Sequence, residues 1–236
     1  MPAAILFDLH NGGDKAWGDL PPYRGLGWWA CAIAARDFAL GNAGAGLGAT
    51  AGNLKGGLGS ASFVIERDEG EPLTVGALAA VNALGAVTMP ESAVFWAWPF
   101  EQAGEFGARS PSDVPRPLPL EVELKSGLAT NTTLVVVATD AALSKTQAGR
   151  LAVMAGRHRA RDPAGTHPAR RRYCVRARDR PAAACAAHPL DLARLGTLAA
   201  DCVSRAIARR VYGATDLGAM RSYRSVHGAQ GEAGSK

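Results

Sequence analysis

The sequence predicts an α+β fold, and three stretches carry the prediction. Asn131-Thr132-Thr133-Leu134-Val135-Val136-Val137-Ala138-Thr139-Asp140 is a polar step running into a continuous, β-branched apolar segment, the pattern of a strand buried on both faces. Residues 60–66 and 73–86 are two further strand-like runs, and Asp68-Glu69-Gly70-Glu71-Pro72 between them has turn composition, so the pair reads as a hairpin. In residues 190–213, Leu192, Leu195, Leu198, Ala199, Cys202, Val203, Ala206, Ile207 and Val211 recur on one face at the helical period.

The remaining elements follow in chain order. Ala3-Ala4-Ile5-Leu6-Phe7-Asp8-Leu9 has the composition of a strand or strand end. A loop from His10 to Gly27 follows, punctuated by Gly12-Gly13 and Pro21-Pro22. Residues 28–40 open with Trp28-Trp29 and suit a packed helix. Residues 41–60 are glycine-rich, which lets backbone approach a ligand or another segment closely. Gly44-x-Gly46-x-x-Ala49 is a weak match to a dinucleotide fingerprint, without a strand before it or an acidic residue after a βαβ unit. Lys55 is followed by Gly56 instead of Ser or Thr, which excludes a phosphate-binding P-loop. Asn82 is a polar amide inside an apolar strand, so it must be hydrogen-bonded, either structurally or as an oxyanion donor. Arg109 to Pro119 has four prolines and reads as a surface loop. Ser144 is a good N-cap for a helix through about Ala155, and residues 214–236 read as a loose tail.

Composition narrows the class. Hydrophobic residues make up 47% of the 236, enough for a real core. No window reaches the roughly 18 uninterrupted apolar residues of a membrane span, and Met1-Pro2-Ala3-Ala4 has no basic n-region, so a cytoplasmic location is expected. Cys31, Cys174, Cys185 and Cys202 form no CxxC pair, which points away from zinc and from a disulfide framework. The net charge of +5 is local: residues 156–180 hold nine arginines and two aspartates, +7, which leaves the rest of the chain at −2.

Chemistry enters at the mouth of the central strand. Thr is an ordinary strand-former, so Thr132 and Thr133 can be read as plain strand residues. A hydroxyl held on a rigid element is also a nucleophile when a base lies beside it. If the chain is cut between Asn131 and Thr132, the freed α-amine, with a pKa of about 8, can take the Thr132 proton itself.

Several segments, in order and spacing, resemble the DmpA family of L-aminopeptidase/D-Ala-esterase/amidases, with their β-peptidyl aminopeptidase and nylon-oligomer hydrolase relatives. They are Pro2-Ala3-Ala4-Ile5-Leu6-Phe7-Asp8-Leu9, Gly46-Leu47-Gly48-Ala49-Thr50-Ala51-Gly52, Leu54-Lys55-Gly56-Gly57-Leu58-Gly59-Ser60-Ala61-Ser62, Thr74-Val75-Gly76-Ala77-Leu78, Val81-Asn82, Phe95-Trp96 and Val135 to Ala141. The likeness covers roughly residues 1–155 and 188–223. It implies an αββα sandwich like that of the N-terminal-nucleophile hydrolases, incomplete at the N-terminus here. It also implies self-cleavage between Asn131 and Thr132, with residues 1–131 belonging to the first subunit and 132–236 to the second within one structural domain. By the same resemblance Thr132 is the nucleophile and its α-amine the base. Asn82 stands on the oxyanion side, Lys55 near the nucleophile, and Thr133 is a second hydroxyl. The implied reaction is peptide or amide hydrolysis through an acyl-enzyme, in a homo-oligomer, with no cofactor or metal and no nucleic-acid or membrane partner.

Two departures stand out. The chain lacks the segment that family members carry before Pro2, and Phe7 falls where some of them have an active-site tyrosine. Residues 156–187 match nothing in the family. Read one base later, the codons of Ala169 to Asp179 can encode a family-like run with aspartates where Arg170 and Arg172 are written. The hypothesis is a pair of compensating frameshifts near residues 156 and 181–187, with the frame restored at His188-Pro189-Leu190; in-frame DNA reads confirming the nine arginines would refute it. Two other readings compete: nucleic-acid binding through the arginine run at 157–180, where Tyr173 is the one aromatic, and a dinucleotide enzyme built on the glycine-rich loop.

Overall fold

A computed structural model describes residues 5–9, 11–66, 72–113, 132–156, 171–176 and 189–228. Its framework is one four-stranded sheet. Strands β3 (Gly57–Ile65) and β4 (Leu73–Asn82) form the hairpin, and β4 pairs antiparallel with β5 (Thr132–Thr139). β6 (Arg171–Arg176) adds parallel to β5 at the edge, giving the order β3-β4-β5-β6. Helix α2 (Lys145–Ala155) makes the crossover a parallel pair requires. It starts at Ser144, where a capping box joins the Ser144 and Gln147 side chains to each other's backbone N–H. A short ribbon, β1 (Thr50–Ala51) with β2 (Leu54–Lys55), precedes the sheet.

The long helix α3 (Pro189–Tyr212) covers one sheet face. Val75, Ala77, Ala79, Val81, Val135 and Val137 lie buried there against Leu195, Ala199, Cys202, Val203 and Ala206. Close approach depends on Gly59. A Cβ on it would lie only 2.0 Å from the Ala206 carbonyl oxygen and press on the Arg210 backbone nitrogen. The other face carries Leu58, Ser60, Leu78, Ala80, Leu134, Val136 and Ala138 in register, and Val136 on it is 38% exposed. The central strand is therefore buried on both faces only near its start. Towards its C-terminal end it alternates, because among the described residues no second layer covers that side.

Three other expectations are corrected. Residues 5–8 have no regular structure. The first helix, α1 (Tyr23–Ala32), begins ahead of Trp28 and buries none of its residues. Trp28 is 66% exposed: the apolar composition that suggested a packed helix lies on one that stands away from the core. Residues 214–228 are not loose. Tyr223, which opens the short helix α4 (Tyr223–His227), stacks on Phe95 and donates its hydroxyl hydrogen to the Ala93 carbonyl, and Arg221 accepts from the Lys55 amide. The glycine-rich loop is a single 3-10 turn at Gly44–Gly46 that leads into the β1–β2 ribbon, without the strand-to-helix geometry of a dinucleotide site. No helix among the described residues is long and apolar enough to cross a membrane.

Candidate active site

The sheet register brings the predicted residues together. Thr132, the first residue of β5, is paired with Asn82, the last of β4. Directly opposed residues of an antiparallel pair point to the same face, so both lie on the side away from α3. Thr132 is 6% exposed and Asn82 fully buried. Thr133 is buried as well, but strand alternation turns it to the α3 side, in register with Val81 and Arg171. Its side chain thus does not share a face with Thr132 and Asn82. Asn131 lies outside the described residues, as does Arg170. Arg172 is registered beside Leu134, two positions along from Thr132, so the arginine segment occupies the strand next to the site.

Asn82 is held from both ends of its amide. Its Nδ2 donates to the Phe7 carbonyl at 2.5 Å, while Oδ1 accepts from the Thr50 backbone N–H at 3.1 Å and from the Thr50 hydroxyl at 3.2 Å. These bonds satisfy a buried amide and fix its orientation. They also make Thr50 a hub that sequence reasoning did not single out. The only signal was its place in the quoted glycine-rich motif.

Lys55 is the register partner of Thr50 and is fully buried. Its ammonium donates to the carbonyls of Gly46 (3.1 Å), Ala49 (3.0 Å) and Gly56 (2.9 Å), which uses all three of its N–H bonds. Burial lowers its pKa from 10.5 to about 8; the Arg210 guanidinium pushes the same way and Asp8 opposes them. Arg210, also fully buried, donates from Nη1 to the Val81 carbonyl at 2.6 Å, next to Asn82. A lysine near 8 has a substantial neutral fraction in mildly alkaline solution and can then accept a proton.

The lowered pKa has a stability consequence. Between about 8 and 10.5 the unfolded chain holds a proton on Lys55 that the folded chain has released, so stability rises with pH across this window. Urea unfolding at pH 7.5, 9 and 10.5 (about these values, chosen to bracket that window) is expected to show the rise in wild type. Lys55→Met is expected to lack it.

Beside these residues lies a cleft of about 770 Å³, with Thr50 in its lining and Asp8, Gly48 and Met220 among its walls. Its size is ordinary for a small-molecule site. Among the described residues no cluster of three or more His, Cys, Asp or Glu side chains could hold a metal ion.

A buried Thr at a strand start, an amide locked opposite it and a buried lysine on the adjoining ribbon make up a site for nucleophilic chemistry. The family follows from comparison: the chain belongs to Peptidase family S58, whose model matches residues 2–224. It is 34% identical over 241 residues to an uncharacterized aminopeptidase of Mycobacterium tuberculosis, covering 96% of this chain and 67% of that protein. The L-aminopeptidase D-Ala-esterase/amidase of Ochrobactrum anthropi, described as a prototype of the serine aminopeptidases and a variant of the Ntn hydrolase fold, superposes with a TM-score of 0.51 at 25% identity, over 78% of this chain and 48% of that one. A Burkholderia sp. β-aminopeptidase gives 0.50 at 25% identity, over 77% and 48%. The chain thus spans about half the length of these solved structures. The resemblance to the DmpA family and to the N-terminal-nucleophile fold is confirmed. The nucleic-acid reading of the arginine run finds no support in these relatives.

Proposed function

We propose that this chain is the nucleophile-bearing part of a self-processing aminopeptidase or amidase. The observation that carries the proposal is the pairing of Thr132 with Asn82 on one face of the sheet, at its end, with Asn82 oriented by Phe7 and Thr50. Cleavage before Thr132 frees an α-amine that serves as general base. The Thr132 hydroxyl gives its proton to that amine and attacks a peptide or amide carbonyl, the Asn82 amide stabilises the developing oxyanion, the C–N bond breaks as the leaving amine takes up the proton, and water hydrolyses the acyl-enzyme and restores the Thr132 hydroxyl. Lys55, neutral in part near pH 8, assists proton transfer. The Thr133 hydroxyl has no part in these steps, since its side chain faces α3.

The substrate class is a peptide or small amide, and the working form is a homo-oligomer of the cleaved pair in the cytoplasm. The similar solved structures, described as an L-aminopeptidase and a β-aminopeptidase, support this substrate class. The test is an acyl-enzyme trap. Incubated with an aminoacyl p-nitroanilide and quenched in acid, the fragment beginning at Thr132 is expected to gain the mass of one aminoacyl group. An adduct on any other fragment would refute the assignment.

A further inference from the structure

We propose that the outer edge of β3 is a strand-pairing surface that the chain itself holds shut. Arg205 and Arg209, gripped by Glu105, occupy the carbonyls through which β3 of a second copy would otherwise pair. This edge shares no residue with the Thr132–Asn82 site.

β3 is an outermost strand of the sheet. Pairing with β4 uses its alternate residues. Leu58 exchanges two bonds with Gly41, both 2.8 Å, which shows that residues 58, 60, 62 and 64 turn their N–H and C=O groups outwards. Such a row is a template for another strand. Ser60–Ile65 suits one well, since it contains no charge, proline or glycine. Two copies of the run are complementary to each other. Antiparallel pairing about a two-fold axis at Ser62 would oppose Ser60 to the partner's Val64, and Leu58, already bonded, would lie outside the contact.

In this chain the outward carbonyls are taken one after another. That of Leu58 accepts from Gly41, that of Ser60 from Arg209 Nη1, and that of Ser62 from Arg205 Nη1 at 2.8 Å. The two arginines lie one helical turn apart on α3 and share one carboxylate. Glu105 accepts from Arg205 Nε at 2.5 Å and from Nη2 at 3.1 Å, a two-pronged pair, and stands 3.3 Å from Arg209 Nε. The Arg205 side chain is 6% exposed and that of Glu105 14%, so salt screens their pair little.

The loop that carries Glu105 is strained. Ala103 and Ala108 have φ of 50° and 52°, a left-handed conformation that alanine rarely adopts. The Glu101 carboxylate closes the loop by accepting from the Phe106 and Ala108 N–H groups at 2.7 and 2.9 Å. A plain salt bridge to α3 would need neither this strain nor two guanidinium groups turned on to β3 carbonyls. A homo-oligomer of this chain is accordingly assembled through other surfaces.

The test is binding of a fluorescein-labelled peptide, Ser-Ala-Ser-Phe-Val-Ile flanked by lysines, to the purified full chain, read by anisotropy. Glu105→Gln, which releases both arginines, is expected to bind it at least about tenfold more tightly than wild type, the factor that one charge-assisted hydrogen bond is worth. Arg209→Met frees the Ser60 carbonyl alone, at a partly exposed side chain, and is expected to show a smaller gain; it carries the test if circular dichroism finds Glu105→Gln unfolded. A peptide methylated on the backbone nitrogens of its second serine and its valine is expected to lose the gain, because those N–H groups would face β3. Binding no tighter than wild type in the folded variants, or a gain that the methylated peptide shares, would overturn the proposal.

Discussion

Asn82→Ala is expected to slow cleavage before Thr132 by about 10²–10³-fold, the range seen when a single oxyanion donor is removed. The change also removes the Asn82 bond to the Phe7 carbonyl and the one that the buried Thr50 N–H donates to it. Each buried group left without a partner costs about 1–3 kcal/mol, so the variant needs a stability measurement beside the rate. Thr50→Val supplies the control: it removes the hydroxyl bond to Oδ1 but keeps the backbone bond. It is expected to lose about 1 kcal/mol and to process within tenfold of wild type. Were Asn82→Ala to process at the rate of Thr50→Val, Asn82 would be a structural amide and nothing more.

Gly59→Ala is expected to cost about 3 kcal/mol or more in stability, at the upper end for an overpacked core. The added methyl would lie 2.0 Å from the Ala206 carbonyl oxygen and 3.0 Å from the Arg210 backbone nitrogen. Both are helix backbone and cannot rotate away. Relief requires α3 to retreat from β3, which opens the layer of Ala199, Cys202, Val203 and Ala206 that now buries the sheet. It also draws Arg210 away from the Val81 carbonyl beside Asn82, so processing should fall along with the melting temperature. Gly149→Ala is the counterpart. Gly149 is in α2 with open space around it, and there alanine is expected to stabilise by about 0.5–1 kcal/mol. Thermal unfolding of the two variants checks both signs; a Gly59→Ala protein melting with wild type would contradict the close packing of α3.

How much of this was legible in the sequence depended on whether the signal was local. The hairpin, the helix from Ser144 to Ala155 and the long helix at 189–212 each declare themselves through periodicity or a cap within a dozen or so residues. Thr132 and Asn82 stood out locally, as a hydroxyl at a strand mouth and an amide in an apolar strand; the resemblance supplied the roles expected of them and of Lys55, and the register then placed Thr132 opposite Asn82. Thr50 and Arg210 went unremarked because their roles are tertiary. A threonine in a glycine-rich run and an arginine on an amphipathic helix look like solvated residues until the fold brings one to the Asn82 amide and the other to the Val81 carbonyl. The exposed Trp28 and Trp29 failed the opposite way: apolar composition says that a surface prefers burial, but it does not name the layer that covers it. The segment around Arg171–Arg176 shows a third limit. Its charge argues against a strand, yet its backbone pairs with β5 as the βαβ topology demands.

The central claim is that Thr132 becomes an N-terminal nucleophile. The direct measurement is the intact mass of the purified chain under denaturing conditions, beside Thr132→Ala. The account predicts two fragments in wild type that meet between Asn131 and Thr132, and one uncut chain in the variant. A wild-type chain that stays whole, or a Thr132→Ala chain cut at the same bond, would contradict it.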